Sequence, residues 1–448
     1  MSGDSTSTEY TIGSAKQSFF SYDYFGMNIL VLAVICVLVI AACVMEVLPT
    51  SMIGAMAICM VFGLIMGVIG DRIPVWKDFF GGGAILCYFG AAALVKFNMI
   101  PEKTIESVNN FIGGYDFLTV FISVLIAGSI MSVNRKLLLK SILGYIPAIL
   151  VGVVGAMVFG VAAGLLVGVS PGQSLSMYVL PIMGGGTGAG ALPMSEMFEQ
   201  TTGIDRTQFL SFAMPILAIG NVFSILMAAL LNKLGQRKPQ FSGNGELVKS
   251  GMELDPEDKP YEGKISFDEI GMGFLIVFGL YMAAVIISKK ILPTIGGVAI
   301  HTYAYMLFLT AICNACNVFS KKSIAGLQKL QRFFSGQFLF IIMFSCGLAY
   351  LDLNAVIEAL TPANIFIALM VVVGCTVGTF FFSYVVKFYP IETAITAGLC
   401  MANTGGTGDI AVLGACKRMN LMSFAQISSR IGGGLILVIA SVVFAIFL

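Results

Sequence analysis

The sequence predicts an all-α polytopic membrane protein. It is expected to have eleven transmembrane helices: two five-helix inverted repeats, each with a re-entrant hairpin, plus an extra N-terminal helix. Three observations carry that prediction. First, hydrophobic residues make up 58% of the 448-residue chain and charged residues 11%, against about 45–50% and about 25% in soluble domains. Second, the tetrapeptide Gly-Gly-Thr-Gly occurs once in each half, as Gly185-Gly186-Thr187-Gly188 and Gly405-Gly406-Thr407-Gly408. Third, Ser211-Phe212-Ala213 is followed after five residues by Ile219-Gly220, and Ser423-Phe424-Ala425 after the same five by Ile431-Gly432. A glycine-rich break followed by an apolar helix, once per half, is the pattern of a chain built from two structural repeats.

Each element follows from hydropathy, since a membrane-crossing helix needs about 20 mostly apolar residues. Residues 1–26 form a Ser/Thr-rich tail with acidic Asp4, Glu9 and Asp23 and a single base, Lys16, the reverse of a cleavable leader. The span at 27–48 is therefore read as an uncleaved extra helix. The first repeat, 51–232, holds spans near 51–70, 79–100, 116–133, 142–169 and 208–232. The second, 270–448, holds spans near 270–288, 302–320, 335–351, 363–389 and 424–448. Within them, 170–200 and 390–418 are too broken by Gly and Pro for one straight helix and too apolar for a solvated loop. Re-entrant hairpins fit, because irregular backbone at membrane depth is tolerated only where protein or a wet cavity surrounds it.

The segment 233–269 is the one long hydrophilic stretch and reads as a cytoplasmic linker. Basic residues then set the orientation. Arg72, Lys77, Arg135, Lys136, Lys140, Lys321, Lys322, Lys329 and Arg332 fall on one side of the spans. The other side carries Glu46, Glu102, Glu106, Glu196, Glu199, Asp205, Asp352 and Glu358. The N-terminus is expected inside and the C-terminus outside. Five spans per half place the halves in opposite senses, so the repeat is expected to be inverted.

Composition also excludes function classes. The net charge of +1 gives no footprint for nucleic acid. The ten cysteines lie almost entirely in apolar stretches and read as free packing thiols. Cys313-x-x-Cys316 has ligand-like spacing but no second pair nearby. With His301 the only histidine, histidine metal sites and Ser-His-Asp catalysis are nearly excluded.

Two signals point to a binding site. At a hairpin tip, consecutive glycines let backbone approach a ligand, and the half-helix starting there presents N–H groups and about half a positive charge. Small residues also serve plain helix packing, but duplication at corresponding positions favours a site for an anion. The second signal is Arg430, in Gln426-Ile427-Ser428-Ser429-Arg430-Ile431-Gly432-Gly433, a cation inside an apolar span with no acid within a helical turn or two on that segment. Such a charge is costly unless it reaches water or a partner. An anionic substrate supplies that partner, since the planar guanidinium grips a carboxylate bidentately. Asn403, Thr407, Thr187 and Ser429 offer oxygen atoms beside the glycines, as sodium ligands or as helix caps. Asp116 and Asp409 are the acids nearest the site and read first as caps or surface charges.

These motifs resemble those of the 2-hydroxycarboxylate transporter family, the bacterial sodium–citrate and sodium–malate symporters. The likeness rests on Gly184-Gly185-Gly186-Thr187-Gly188-Ala189-Gly190-Ala191, on Asn403-Thr404-Gly405-Gly406-Thr407-Gly408-Asp409 and on Ala425-Gln426-Ile427-Ser428-Ser429-Arg430. The resemblance implies a secondary active transporter, not an enzyme, in the bacterial cytoplasmic membrane. It also implies a homodimer and an elevator-like motion of a substrate-carrying domain. Carried over position by position, substrate would touch Thr187, Gly188, Gly406, Thr407, Ser429 and Arg430, and sodium would sit near Met401, Asn403 and Thr407. Where the citrate carriers, by the family pattern, place a second arginine before the glycine pair, this chain has Thr404, which turns the expectation toward malate. Sodium is expected as the coupling ion, with protons the alternative, because the chain has one histidine and few intramembrane acids. A membrane subunit of a sodium-pumping decarboxylase and a passive channel are the remaining readings. The first lacks a buried acid–base cluster, and the second is at odds with occluding hairpins.

Overall fold

The computed structural model describes residues 23–24, 27–74, 76–77, 82–131, 135–249, 261, 263–295, 298–299 and 301–448. Most of the expected N-terminal tail and the middle of the 233–269 segment lie outside that set. The described chain is helical apart from two pairs of two-residue strands. Eleven apolar helices run in order: α1 (Ile29–Val44), α2 (Met52–Arg72), α3 (Gly82–Lys96), α4 (Phe117–Met131), α5 (Arg135–Leu166), α6 (Arg206–Arg237), α7 (Phe267–Ile291), α8 (Thr302–Ala315), α9 (Lys321–Tyr350), α10 (Pro362–Phe382) and α11 (Phe424–Phe447).

Seven of these, α2, α5, α6, α7, α9, α10 and α11, are long and apolar enough to cross a membrane. An eighth span results if α4 is joined to Glu102–Gly114 across a 47° bend. The other three, α1, α3 and α8, have 16, 15 and 14 residues. At 1.5 Å per residue they reach about 21–24 Å, short of the roughly 30 Å hydrocarbon layer. The expected spans at 27–48, 79–100 and 302–320 were longer. Hydropathy windows do not register what stops these helices: a residue in left-handed conformation just past each end, Glu46, Asn98 and Asn317, all with φ 55°.

The helices pack by close backbone approach at small residues, the usual device in membranes. α5 runs along α10 with Gly155 against Gly374. A Cβ added to either would lie 2.3 Å from the other's carbonyl oxygen. α10 also packs with α6, and both helices pack with both glycine-broken segments. A second group forms around α2, α3 and α9, flanked by α4, α7 and α8.

Each broken segment is a helix–break–helix unit. In the first, the chain is helical through Pro171–Ser174, Leu175–Val179 and Leu180–Met183, breaks at the glycines, and resumes through Thr187–Ala191 and Leu192–Thr202. In the second, Pro390–Thr393 and Ala394–Leu399 precede the break and Gly406–Ala415 follows it. The two breaks touch. A Cβ on Gly186 would lie 3.0 Å from Gly405 Cα, and one on Gly405 would lie 3.2 Å from the Gly185 oxygen.

The hydrophilic segment is more structured than its composition suggests. α6 extends to Arg237, and residues 239–249 fold back on the base of the second broken segment. Tyr389 N donates to Leu247 O at 2.9 Å. The buried Glu392 carboxylate accepts from Ser242 Oγ at 2.9 Å, Gly243 N at 3.0 Å and Arg418 Nε at 2.9 Å.

Candidate binding site

The two glycine breaks and the start of α11 form one wall of a cavity of about 580 Å³. Thr187 and Gly188 line it from the first break, Thr404, Gly405, Gly406 and Asp409 from the second, and Ser429 and Arg430 from α11. The facing wall includes Asp71 of α2, Ser129 of α4, and Gln331 and Ser335 of α9. The cavity therefore lies between the two groups of helices. The structure brings together every sequence-expected substrate residue whose side chain it describes. The Thr407 side chain lies outside the described set.

The local backbone explains why these positions are glycines. Gly186 has φ 126° and Gly405 φ 84°, conformations that a side chain disfavours. Each occupies the cap position of the helix that follows, and no side chain caps either helix start. Both half-helices thus begin at residues that line the cavity, with no side-chain cap on their first turns, and an uncapped helix start favours an anion. Among the described residues that line the cavity, Arg430 is the only lysine or arginine.

The second break is braced by a polar network. Asn403 Oδ1 accepts from Gly405 N at 2.7 Å, while its Nδ2 donates to Asp409 Oδ1 at 3.0 Å and to Leu399 O at 3.3 Å. Ser429 Oγ donates to Asp409 Oδ2 at 2.6 Å and also lies 3.1 Å from Cys400 O. Asn221 of α6 accepts from Thr404 N at 3.1 Å and from Thr404 Oγ1 at 3.3 Å. Of the three residues expected around sodium, Met401 is buried with its sulfur against Gly432, and Asn403 is fully buried. In this arrangement Asp409 accepts from both Asn403 Nδ2 and Ser429 Oγ, while the Asn403 amide oxygen is turned to Gly405 N.

Two residues of this network were not assigned to the site from sequence. Asp409 read first as a cap or surface charge, yet it is buried and takes two side-chain hydrogen bonds. Its place in the first turn after the glycine pair was the available signal. Asn221 had only the faint signal of a lone amide in an apolar span. Asp116 does accept a local bond from Thr119 Oγ1, at 2.7 Å.

A chain of membrane-length helices with two broken segments meeting at a charged, oxygen-rich cavity has the architecture of a small-anion carrier. The sequence profile of the 2-hydroxycarboxylate transporter family matches residues 24–442, and the chain belongs to that family of transporters. It is 45% identical over 428 residues to the citrate/sodium symporter of Klebsiella pneumoniae, covering 95% of this chain and 96% of that one. It is 43% identical over 424 residues to the citrate/sodium symporter of Salmonella typhimurium, covering 95% of each. With the Na(+)-malate symporter of Bacillus subtilis it shares 33% over 432 residues, covering 96% and 94%.

Proposed function

We propose that this protein is a secondary active transporter that carries a 2-hydroxy dicarboxylate, malate before citrate, together with sodium. The observation that carries the reading is the single arginine, Arg430, lining a cavity at which two uncapped half-helices begin. Arg430 contributes +1 and each helix start about +0.5, roughly +2 of positive charge facing the substrate. Malate at neutral pH carries two negative charges and fully ionised citrate three; with the carboxylates Asp71 and Asp409 also lining the cavity, the smaller negative load favours malate. In this reading Thr187, Gly188, Gly406, Thr407, Ser429 and Arg430 contact substrate. Sodium sits beside Met401, Asn403 and Thr407, and the adjoining Asp409 joins the donor set. Sodium coupling is supported by the sodium symporters among the relatives.

The same proposal takes α1, α3 and α8 as true crossings, giving eleven, with the N-terminus cytoplasmic and the C-terminus external in a bacterial inner membrane. The reciprocal contacts of Gly155 with Gly374, and of Gly186 with Gly405, support an inverted repeat. The group containing both hairpins, α5, α6, α10 and α11 is the part expected to move against the rest in an elevator motion, within a homodimer.

Citrate is the second reading, and a specific observation favours it: the relatives at 43–45% identity are named for citrate, and the malate symporter stands at 33%. Competition decides. Unlabelled citrate and malate are titrated against labelled malate uptake in proteoliposomes, in wild type and Thr404→Arg. Malate is expected to compete better in wild type, and the variant is expected to shift preference toward citrate by about ten- to a hundred-fold, the effect of one charge-assisted hydrogen bond. A wild type that prefers citrate overturns the malate assignment while leaving carboxylate transport intact.

A further inference from the structure

A second polar cluster lies away from the cavity. Glu196, on the second arm of the first hairpin, is buried among residues of the other helix group. Tyr303 OH of α8 lies 2.5 Å from its Oε2, and Thr119 Oγ1 of α4 lies 3.2 Å from its Oε1. Glu196 is nine residues beyond Thr187, about 14 Å along the helix, and Thr119 is ten residues before the cavity-lining Ser129, about 15 Å. Neither Glu196, Thr119 nor Tyr303 lines the cavity. The cluster therefore closes the hairpin onto α4 and α8 on the side of the tip away from the cavity. Between the two, the chain at Gly188 packs against Phe121 and Leu125.

The hydrogen count of this cluster is incomplete with an ionised carboxylate. Thr119 Oγ1 also lies 2.7 Å from Asp116 Oδ1, and Tyr303 OH lies 3.2 Å from Thr119 Oγ1. Four oxygen–oxygen contacts are served by two hydroxyl hydrogens. If Tyr303 donates to Glu196 and Thr119 to Asp116, the contact between Glu196 Oε1 and Thr119 Oγ1 has no hydrogen. A proton on Glu196 supplies it, because a neutral carboxyl is also a donor, and leaves only the 3.2 Å contact between Tyr303 OH and Thr119 Oγ1 without a hydrogen. Among the described residues no basic side chain forms an ion pair with Glu196, and the nearby Arg206 is held by Glu199. A cavity of about 80 Å³ beside the carboxyl, lined also by Tyr281, Lys289 and His301, gives water a place to exchange that proton.

We propose that Glu196 is a proton-binding latch. Protonated, it clasps the first hairpin to α4 and α8. As the hairpin leaves the clasp, Glu196 loses the proton to water. This rests on the alternating motion argued above, and it makes the docked state the one that binds an extra proton. The sign follows from linkage: acid favours docking and alkali favours release, by at most about tenfold in the docked-to-released ratio per pH unit.

The test is a distance measurement that needs no substrate. Spin labels are placed through bio-orthogonal residues at the exposed positions Met99 and Ile204 of the full chain, in lipid nanodiscs, and pulsed dipolar spectra are recorded from mildly acidic to mildly alkaline pH. In wild type the docked distance is expected to lose population as pH rises. Glu196→Gln keeps a neutral donor and acceptor, so it should stay docked with the pH dependence gone. Glu196→Ala should be released throughout, and Tyr303→Phe should shift toward release at every pH. A wild-type distribution that ignores pH, or a Glu196→Gln variant that titrates like wild type, overturns the latch; in the second case His301 becomes the pH-sensitive group. Sodium-driven uptake measured on the same samples reports separately on transport, so loss of one conclusion leaves the other standing.

Discussion

Arg430 illustrates how a single residue acquires a role from its surroundings. On a soluble surface it would be unremarkable, but here it lines the cavity between two helix starts. Arg430→Ala is expected to raise the apparent KM for substrate at least tenfold or abolish uptake, with expression and folding unchanged. A bidentate charged contact accounts for that size, at about 1.5–3 kcal/mol per hydrogen bond. Arg430→Lys should recover only part of the affinity, because a point charge does not reproduce the fork. Initial-rate uptake against substrate concentration gives the answer, and a near-normal KM in the alanine variant contradicts the assignment.

Residue identity made Arg430 and the glycines legible in the sequence, because a cation or a paired glycine stands out against apolar neighbours. Asp409 stands beside the glycines in the sequence as an acid in the first turn of a helix, a place from which burial cannot be read. Asn221 bonds Thr404 across 183 positions, and Tyr303 meets Glu196 across 107. No local pattern carries such pairings. They exist only once the two groups of helices have packed.

Among the elements, the breaks carry the sharpest expectations. Strain falls on Gly186 and Gly405, which have positive φ and face each other, whereas nothing lies within 4 Å of a Cβ placed on Gly406. Gly186→Val and Gly405→Val should therefore block transport by forcing the tips apart. Gly406→Ala should leave the backbone in place and weaken substrate affinity instead, since its methyl enters the cavity. Normal uptake by both valine variants would reduce the tips to packing elements.

The buttress under the second broken segment is a separate matter of stability. Arg418, itself buried, pairs with Glu392 at 2.9 Å and reaches Asn232 Oδ1 at 2.8 Å and Cys416 O at 2.7 Å. Arg418→Ala strands a buried carboxylate, a loss of about 3–5 kcal/mol. A clear drop in the melting temperature of the purified protein is the expected result. This buttress was not legible beforehand: a segment mixing both charge signs with Gly and Pro looks like a solvated linker until Glu392 is seen to gather its N–H groups.

At the scale of the whole molecule, the sequence carried the helix order and both breaks, because hydropathy and glycine placement act locally. Helix ends were less visible, as the left-handed residues Glu46, Asn98 and Asn317 terminate apolar runs without any change in composition. The central claim concerns the assembled protein: a sodium gradient drives a 2-hydroxycarboxylate through it. Purified full-length protein in proteoliposomes, loaded with labelled malate outside and an inward sodium gradient, tests this directly. Accumulation above the equilibrium level that collapses when sodium is replaced by potassium, and that is lost in Arg430→Ala, is the predicted result. Accumulation indifferent to sodium, or equal in wild type and Arg430→Ala, would contradict it.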